Sequence, residues 1–166
     1  EARMVLLIDT REQAPLTFPA MQGVEVRVQM LPTGDYGAEH DGVMDTTVFE
    51  RKSLGDLFSS FTAGYAREKA KWQRAQALGL TYILAIEGTA SEVLQGHQYW
   101  AKGEAWYSKK SGWAMLRQLM TVQRKYGVPV WFTSSRKEMA MLIQEFYLSF
   151  ERIKEEKERG KPDGRH

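Results

Sequence analysis

Apolar and polar positions alternate along the chain with two different periods, and each period predicts one type of element. Short apolar runs at 4–9 and 81–87 predict buried strands, and the period-two pattern of 24–30 predicts a strand with one apolar face. Apolar positions at helical spacing predict helices between and after the strands. The predicted strands are residues 4–9, 24–30, 35–38, 43–50, 81–87 and 128–133.

Residues that typically begin and end helices set the limits of the helical segments. Ser53 directly follows the strand predicted at 43–50 and is a favoured N-cap residue, and Ser134 or Ser135 offers the same start to the last helix. Gly79 and Gly127 are placed to end two helices. The predicted helices are residues 53–61, 65–78, 114–126, and a last one from 134 or 135 past 150.

This order of elements is typical of an α/β fold with a mixed central β-sheet flanked by helices. The length of 166 residues fits one domain with a sizeable core. We therefore expect a single domain over residues 1–150, followed by a charged tail at 151–166.

Composition narrows the class of protein without identifying it. The absence of cysteine excludes disulfides and cysteine-based zinc sites. No apolar run is long enough to span a membrane and the N-terminus lacks a signal-peptide pattern, so we expect an intracellular protein without a membrane partner. The net charge of +2 is too small to indicate nucleic-acid binding by itself. Any DNA binding must therefore depend on where the cations lie.

Two charged segments carry the candidate chemistry: Gly-Asp-Tyr at 34–36 and Glu-Arg-Lys-Ser-Leu-Gly-Asp at 50–56. In an extended segment Glu50 and Lys52 point to one face and Arg51 to the other. If Asp35 ends a neighbouring strand, its carboxylate meets Glu50 across the sheet. Hard oxygen ligands of this kind suit Mg²⁺ or Mn²⁺, and Lys52 is placed to steady the attacking hydroxide or the charge of a phosphate. The pattern predicts a nuclease site.

Each segment also has a simpler interpretation. Gly-Asp-Tyr is a common turn, because Gly and Asp suit turn backbones. A run of charged residues is usually a solvated surface. The occurrence of both segments in this order, with the second directly after a strand and before an N-cap, favours the nuclease interpretation.

With the strand-like segment Val-Leu-Leu-Ile-Asp-Thr-Arg-Glu at 5–12, these motifs resemble the nuclease domain of the XPF/Mus-type structure-specific endonucleases, in the restriction-endonuclease-like superfamily. The resemblance continues more loosely through 64–69 and 82–88 and spans roughly residues 4–148. It implies a restriction-endonuclease-like core and a metal-dependent DNA endonuclease that leaves a 5′-phosphate and a 3′-hydroxyl. It also implies branched or single-strand/duplex junction DNA as the substrate. Most relatives add a tandem helix-hairpin-helix domain, and we expect a compact single-domain version here.

The resemblance also implies functions for individual residues. It makes Asp35 and Glu50 the ligands of Mg²⁺ or Mn²⁺ and Lys52 catalytic. It places Asp9, Glu12, Arg51 and Asp56 as supporting motif residues, for which direct catalysis and structural support both remain open. For Arg51, pairing with Glu12 and pairing with Asp56 are both open.

Two further segments are candidates for DNA contact. Arg67, Lys71 and Arg74 share one face of the helix predicted at 65–78, where they suit phosphate binding or form a solvated face. The aromatic-rich segment 96–113, predicted as a long loop, interleaves rings with cations, a pattern that suits single-strand stacking or simple core packing. Packing is favoured for its tryptophans 106 and 113. The candidate DNA-binding residues in this segment are Tyr99, Trp100, Lys109 and Lys110.

Two other functions stay open beside the endonuclease. One is a non-catalytic DNA-binding or scaffolding module of the same fold, although degenerate members lose the acids or the lysine that this chain keeps. The other is an exonuclease acting on linear ends. We also expect DNA as the partner and consider a homodimer through the apolar helical face near Phe146, Tyr147 and Phe150.

Overall fold

The structure is a computed structural model that describes residues 3–96, 98–101, 104–107 and 109–160. Its strands are β1 (Met4–Ile8), β2 (Val24–Val28), β3 (Tyr36–His40), β4 (Val43–Met44), β5 (Thr47–Ser53), β6 (Thr81–Glu87), β7 (Gln98–Ala101), β8 (Glu104–Tyr107) and β9 (Val130–Phe132). Its helices are α1 (Leu54–Ser60), α2 (Tyr65–Ala77), α3 (Ala90–Gln95), α4 (Gly112–Tyr126) and α5 (Arg136–Glu158).

A seven-stranded mixed sheet lies at the centre, in the order β2-β1-β3-β5-β6-β9 with β4 paired to β3. β3 is antiparallel to both β1 and β5, whereas the pairs β1–β2, β5–β6 and β6–β9 are parallel. The predicted α/β fold with a mixed central sheet is confirmed.

Helices cover both faces of the sheet because alternate residues of the central strands are apolar on both sides. In β5, Val48 packs into a buried cluster with α1, α2, α3 and α4. The next residue, Phe49, packs on the opposite face with Tyr147 and Ile143 of α5. Since side chains alternate along β5, Glu50 and Lys52 lie on the α1 and α2 side, and Arg51 lies on the α5 side.

Some element limits differ from the sequence prediction for identifiable reasons. The strand predicted at 43–50 is split into β4 and β5, because the Asp45 carboxylate accepts the Thr47 N–H at 2.9 Å and turns the chain between them. The alternating strand at 24–30 forms as β2, but it lies at the sheet edge. Its apolar face is therefore largely uncovered, with Val28 and Met30 at 65% and 71% exposure.

The segment between β6 and α4 contains more regular structure than the pattern predicted. A capping box of Thr89 and Glu92 begins the helix α3, and the predicted loop 96–113 contains the antiparallel hairpin β7–β8. The helix predicted from 114 begins at Gly112, where the Ser111 hydroxyl accepts the Ala114 N–H. Trp113 was expected in the core but is 61% exposed, so that prediction is wrong.

Helix α5 runs past residue 150, as predicted, and its far end contacts the sheet. Glu151 is buried and lies 3.0 Å from the Nδ1 atom of His40, whose Nε2 atom lies 2.7 Å from Asp45. Tyr147, expected on an interface, is instead a core residue whose hydroxyl donates to the Thr47 carbonyl at 2.6 Å. None of the helices in the described part of the chain is long and apolar enough to cross a membrane.

Candidate active site

Three acidic residues lie side by side on neighbouring strands. Asp9 directly follows β1, Asp35 directly precedes β3, and Glu50 lies within β5. The Asp9 N–H donates to the Asp35 carbonyl at 2.8 Å, and the Asp35 N–H donates to the Phe49 carbonyl at 2.7 Å. The hydrogen bonds of the sheet therefore bring all three acids to one place.

Gly34 allows the turn before β3 to approach β5 closely. Its φ of +82° is in the left-handed region, and a Cβ atom there would lie 3.1 Å from the Val48 Cβ and 3.2 Å from the Phe49 carbonyl oxygen. A larger residue would be both strained and crowded. The glycine of the Gly-Asp-Tyr motif is thus what permits Asp35 to sit beside Glu50.

Asp35 and Glu50 are neighbouring carboxyl groups, of which Glu50 is buried and Asp35 is half-buried. Burial, followed by the negative charge of Glu50, raises the pKa of Asp35 above its ordinary value. Burial alone would raise the pKa of Glu50 as well, but the Asp35 hydrogen bond and the charge of Lys71 lower it instead. The pKa of the Asp35 carboxyl is therefore raised and that of Glu50 lowered, so Asp35 is the more readily protonated of the two acids.

Two other side chains contact the same oxygen of Glu50. The hydroxyl of Tyr82, on β6, donates to Glu50 Oε2, and the Lys71 Nζ atom of α2 lies 3.6 Å from it. Burial and the Glu50 charge raise the pKa of Tyr82 well above its usual range, so its hydroxyl remains a donor. No sequence signal pointed to Tyr82, because it lies within an apolar strand.

Lys52 shares the Glu50 face of β5 and is bound by an acid that the sequence interpretation missed. Its Nζ atom lies 3.0 Å from Glu68 Oε1 and donates to the Ser60 hydroxyl at 3.1 Å. The other oxygen of Glu68 lies 3.0 Å from Lys71 Nζ. Glu68 is buried and joins both lysines, and its position three residues before Lys71 on a helix was the available signal.

Arg51 points to the opposite face of β5 and lies between two acids. Its Nε and Nη2 atoms each donate to Glu12 at 2.9 Å, and its Nη1 atom donates to Glu87 at 2.8 Å. Arg136 also donates to Glu87, at 2.6 Å, and the Tyr36 hydroxyl donates to Glu12 at 3.0 Å. Of the two partners that the sequence left open for Arg51, the structure selects Glu12.

This network supports the metal-ligand candidates through the main chain. The Arg51 N–H donates to Asp35 Oδ2 at 2.8 Å, so the residue that binds Glu12 with its side chain also orients Asp35 with its backbone. Burial opposes ionisation of Glu12, yet the hydrogen bonds from Arg51 hold the pKa of Glu12 below its ordinary value. Both members of the pair are therefore charged.

Asp9 is buried and holds Arg11 at the edge of the site. Its carboxylate accepts the Arg11 Nε donor at 2.8 Å and the Leu31 N–H at 2.7 Å. Burial would raise the pKa of Asp9, but these hydrogen bonds lower it. The Arg11 guanidinium also donates to the Leu31 carbonyl at 2.9 Å, which fixes its direction. Arg11 belongs to the motif at 5–12, but the sequence pattern assigned it no function.

The acids form the floor of a cleft of about 230 Å³ that has a cationic rim. Arg11 comes from the segment after β1, and Lys71 and Arg74 come from α2. Negative charge at the floor and positive charge at the rim suit a divalent cation next to a phosphodiester. The lining residues are Asp9, Arg11, Pro32, Thr33, Gly34, Asp35, Glu50, Lys71 and Arg74.

The remaining residues of the predicted site lie further out. Asp56 is exposed in the first turn of α1, where its N–H donates to the Ser53 hydroxyl at 3.2 Å. Arg67 is exposed on α2 and does not line the cleft, unlike Lys71 and Arg74 of the same predicted stripe. The stripe therefore divides into two cleft residues and one residue outside it.

The aromatic-rich segment is described only in part. The side chains of Tyr99 and Trp100 lie outside the described residues, so their predicted contact with DNA stays a prediction. Lys109 is exposed, whereas Lys110 donates to the Phe61 carbonyl at 2.7 Å and to Gln118. Burial lowers the pKa of Lys110. Lys110 therefore links the start of α4 to the end of α1 in this structure.

The donor set fits a divalent cation that keeps much of its water. Within the described ranges, no group of three or more acidic, histidine or cysteine side chains is arranged to hold a metal. Asp35 and Glu50 nevertheless offer hard oxygen donors that line the same cleft. Mg²⁺ is commonly bound through one or two carboxylates and several waters.

Comparisons with known proteins agree with this geometry. The family model of the ERCC4 domain matches residues 8–146. The structure of XPF from Aeropyrum pernix is similar over 93% of this chain and 69% of its own, with 23% identity and a TM-score of 0.61. XPF from Aeropyrum pernix in complex with DNA is similar over 90% of this chain and 66% of its own, with 24% identity and a TM-score of 0.62. No curated protein matches the chain.

Proposed function

We propose that this protein is a Mg²⁺- or Mn²⁺-dependent DNA endonuclease. The proposal starts from its family: the chain belongs to the ERCC4 domain family and is an XPF-type nuclease domain. The observation that carries the proposal is the pair of neighbouring acids Asp35 and Glu50 in a cleft that arginine and lysine side chains also line. A divalent cation bound there supplies the positive charge that activates water and stabilises the phosphate.

The protein side chains supply the rest of the chemistry. Asp35 and Glu50 would hold the cation, with the Arg51 N–H and the Tyr82 hydroxyl fixing their directions. Lys52 is only 12% exposed, and Glu68 and Ser60 hold its ammonium group on the Glu50 side of β5. Lys52 does not line the cleft in this structure, so its ammonium group would have to leave Glu68 to stabilise negative charge on the phosphate.

DNA is the proposed substrate, with branched or junction forms preferred, and we therefore expect the protein to act inside the cell. Arg11, Lys71 and Arg74, which line the cleft, would hold phosphates. A similar XPF has been solved in complex with DNA, which supports DNA as the partner. The preference for branched DNA rests on the family resemblance.

Cleavage of defined DNAs tests this function. Labelled forks, flaps, four-way junctions, linear duplexes and circular single strands would be incubated with Mg²⁺, Mn²⁺ or EDTA. Glu50→Gln is expected to lose about a thousandfold in rate, because several kcal/mol of transition-state stabilisation depend on the cation. Glu25→Gln, which alters an exposed acid on β2, serves as the matched control and keeps wild-type activity.

Each rival function has its own outcome in the same assay. Cutting of linear DNA with the circular strand left intact would indicate an exonuclease. Tight binding of every DNA without metal-dependent cutting, unchanged by Glu50→Gln, would indicate a scaffolding module. Metal-dependent cutting of forks or flaps ahead of linear duplex supports the endonuclease.

A homodimer through α5 is the second part of the proposal. Because Tyr147 is buried and Phe146 is half-buried, the exposed apolar surface near them includes Leu142, Phe150 and Ile153, at 41%, 47% and 45% exposure. We expect light scattering to show a dimer at high concentration and Ile153→Lys to convert it to a monomer. Met120→Lys, at a similarly exposed position on α4, is the control. A wild-type monomer at high concentration would exclude this dimer.

A further inference from the structure

Lys71 contacts a candidate metal ligand and also lines the cleft where a phosphate would bind. Its Nζ atom lies 3.6 Å from Glu50 Oε2 and 3.0 Å from Glu68 Oε2, and its side chain, at 32% exposure, also lines the cleft. The ammonium group thus neutralises a candidate metal ligand in the protein without metal. The same group lies at the rim where a phosphate would bind.

A divalent cation at Glu50 would be repelled by this ammonium group while the contact stays unchanged. A cation and an ammonium group on the same carboxylate repel each other, and repulsion is strong at a site shielded from water. Lys71 is able to respond, because a lysine has a flexible four-carbon stem and this side chain lines the cleft at 32% exposure. Glu68, at i−3 on α2, remains within reach and keeps the ammonium group near the cleft.

Lys52 is less suited to such a movement. Its ammonium group is bound by Ser60 and Glu68, and its side chain is less exposed than that of Lys71. Lys52 does not line the cleft, whereas Lys71 does. Of the two lysines that Glu68 holds, Lys71 is therefore the one that faces both the acid pair and the substrate side.

We propose that Lys71 is an exchangeable counter-cation, which holds Glu50 in the metal-free enzyme and moves to a phosphate oxygen of DNA when a divalent cation takes its place. The exchange couples the two events, since the metal releases the ammonium group that the substrate then binds. Lys71 acts as a positioning residue before the exchange and as a phosphate contact after it. This inference rests on the proposed function, because it assumes a cation at Asp35 and Glu50.

Metal binding without DNA tests the exchange directly. Mn²⁺ would be titrated into the DNA-free protein, with bound ion measured by electron paramagnetic resonance at one fixed pH. Lys71→Met is expected to bind Mn²⁺ about tenfold more tightly than wild type, because a nearby repelling charge is gone. Lys71→Arg keeps the charge and is expected to bind as wild type does. Lys69→Met removes the same charge from another side of α2, where its Nζ atom lies over the Tyr65 ring, and is the matched control.

The second measurement is cleavage at saturating Mn²⁺, where tighter metal binding brings no advantage. Lys71→Met is expected to cleave about tenfold more slowly than Lys69→Met, because a phosphate contact is lost. Tighter metal binding together with slower cleavage in Lys71→Met would indicate an exchange. If Lys71 only supported the structure, the variant would bind metal more weakly and also cleave more slowly.

The outcomes separate this inference from the proposed function. If wild type and Glu50→Gln bind Mn²⁺ equally, there is no metal site at Glu50 and the proposed function itself fails. If wild type binds through Glu50 but Lys71→Met binds no more tightly than Lys69→Met, the metal site stands and the exchange is overturned. Tighter binding in Lys71→Met but not in Lys69→Met, together with slower cleavage at saturating Mn²⁺, supports the exchange.

Discussion

Asp35→Asn is expected to lose about a thousandfold in cleavage rate and yet to be more stable than wild type at alkaline pH in EDTA. The loss of activity follows from the loss of a charged metal ligand. The gain in stability follows from the burial of Asp35 and the proximity of Glu50, which together raise its pKa in the folded protein.

The sign of the stability effect follows from proton binding. Above its ordinary pKa of 3.8, Asp35 is ionised in the unfolded chain but still protonated in the folded protein. The folded state then binds more protons, so the free energy of unfolding falls as the pH rises until the folded pKa is passed. The asparagine of the variant has no such proton to lose and keeps an amide group able to donate to Glu50, so the variant lacks this fall. Glu50 has the opposite shift and contributes stability that is lost only as the pH falls.

The measurement is urea denaturation of both proteins in EDTA across a pH series. The difference between variant and wild type should grow with pH and exceed about 1 kcal/mol at the alkaline end, the equivalent of less than one unit of pKa shift. Asp41→Asn, which alters an exposed acid on the turn between β3 and β4, is the matched control and should follow wild type. Parallel curves for wild type and Asp35→Asn would show that Asp35 is not held protonated.

Arg51→Met is expected to cost about 3–5 kcal/mol of stability, because it removes one partner of a buried ionic network and leaves Glu12 without its charged partner. Arg51 binds Glu12 with two donors and Glu87 with a third, and the Tyr36 hydroxyl also donates to Glu12. Activity should fall as well, since the side-chain contacts of Arg51 fix the backbone segment whose N–H orients Asp35.

Two companion variants test whether charge is the cause. Arg136→Met removes an arginine that is more exposed than Arg51, and Glu87 keeps its contact with Arg51. The free energy of unfolding should therefore fall by only about 1 kcal/mol. The double variant Glu12→Gln with Arg51→Met removes one stranded charge and should recover part of the loss, as measured by urea denaturation. A loss in Arg51→Met no greater than in Arg136→Met would show that the network is not a main support of the fold.

The local part of the site followed from the sequence because it depends on periods and turns. The period of two along β5 separates Glu50 and Lys52 from Arg51 wherever the strand lies. The Gly-Asp-Tyr turn indicated a tight approach, and the contacts that a Cβ at Gly34 would make explain why glycine is needed there. These features were predictable because backbone geometry determines them within a few residues.

Other features depended on neighbours that the pattern could not display. The exposed apolar face of β2 follows from its position at the sheet edge, and Tyr147 is in the core because α5 crosses β5. The hairpin β7–β8 was not predicted, because the aromatic and cationic residues of its segment follow no simple hydrophobic period. Hydrophobicity alone does not say which apolar faces find a partner.

Sequence patterns were thus sufficient for the α/β fold, the family and the acid pair, since strand period, helix caps and a compact motif are local properties. The surroundings of that pair became visible only in the folded chain. Tyr82, Glu68 and Lys71 meet Glu50 or Lys52 from β6 and α2, and Arg11 is aimed at the cleft by Asp9. Such contacts depend on strand register and helix placement, because the partners are far apart in the chain and near only once the core has packed.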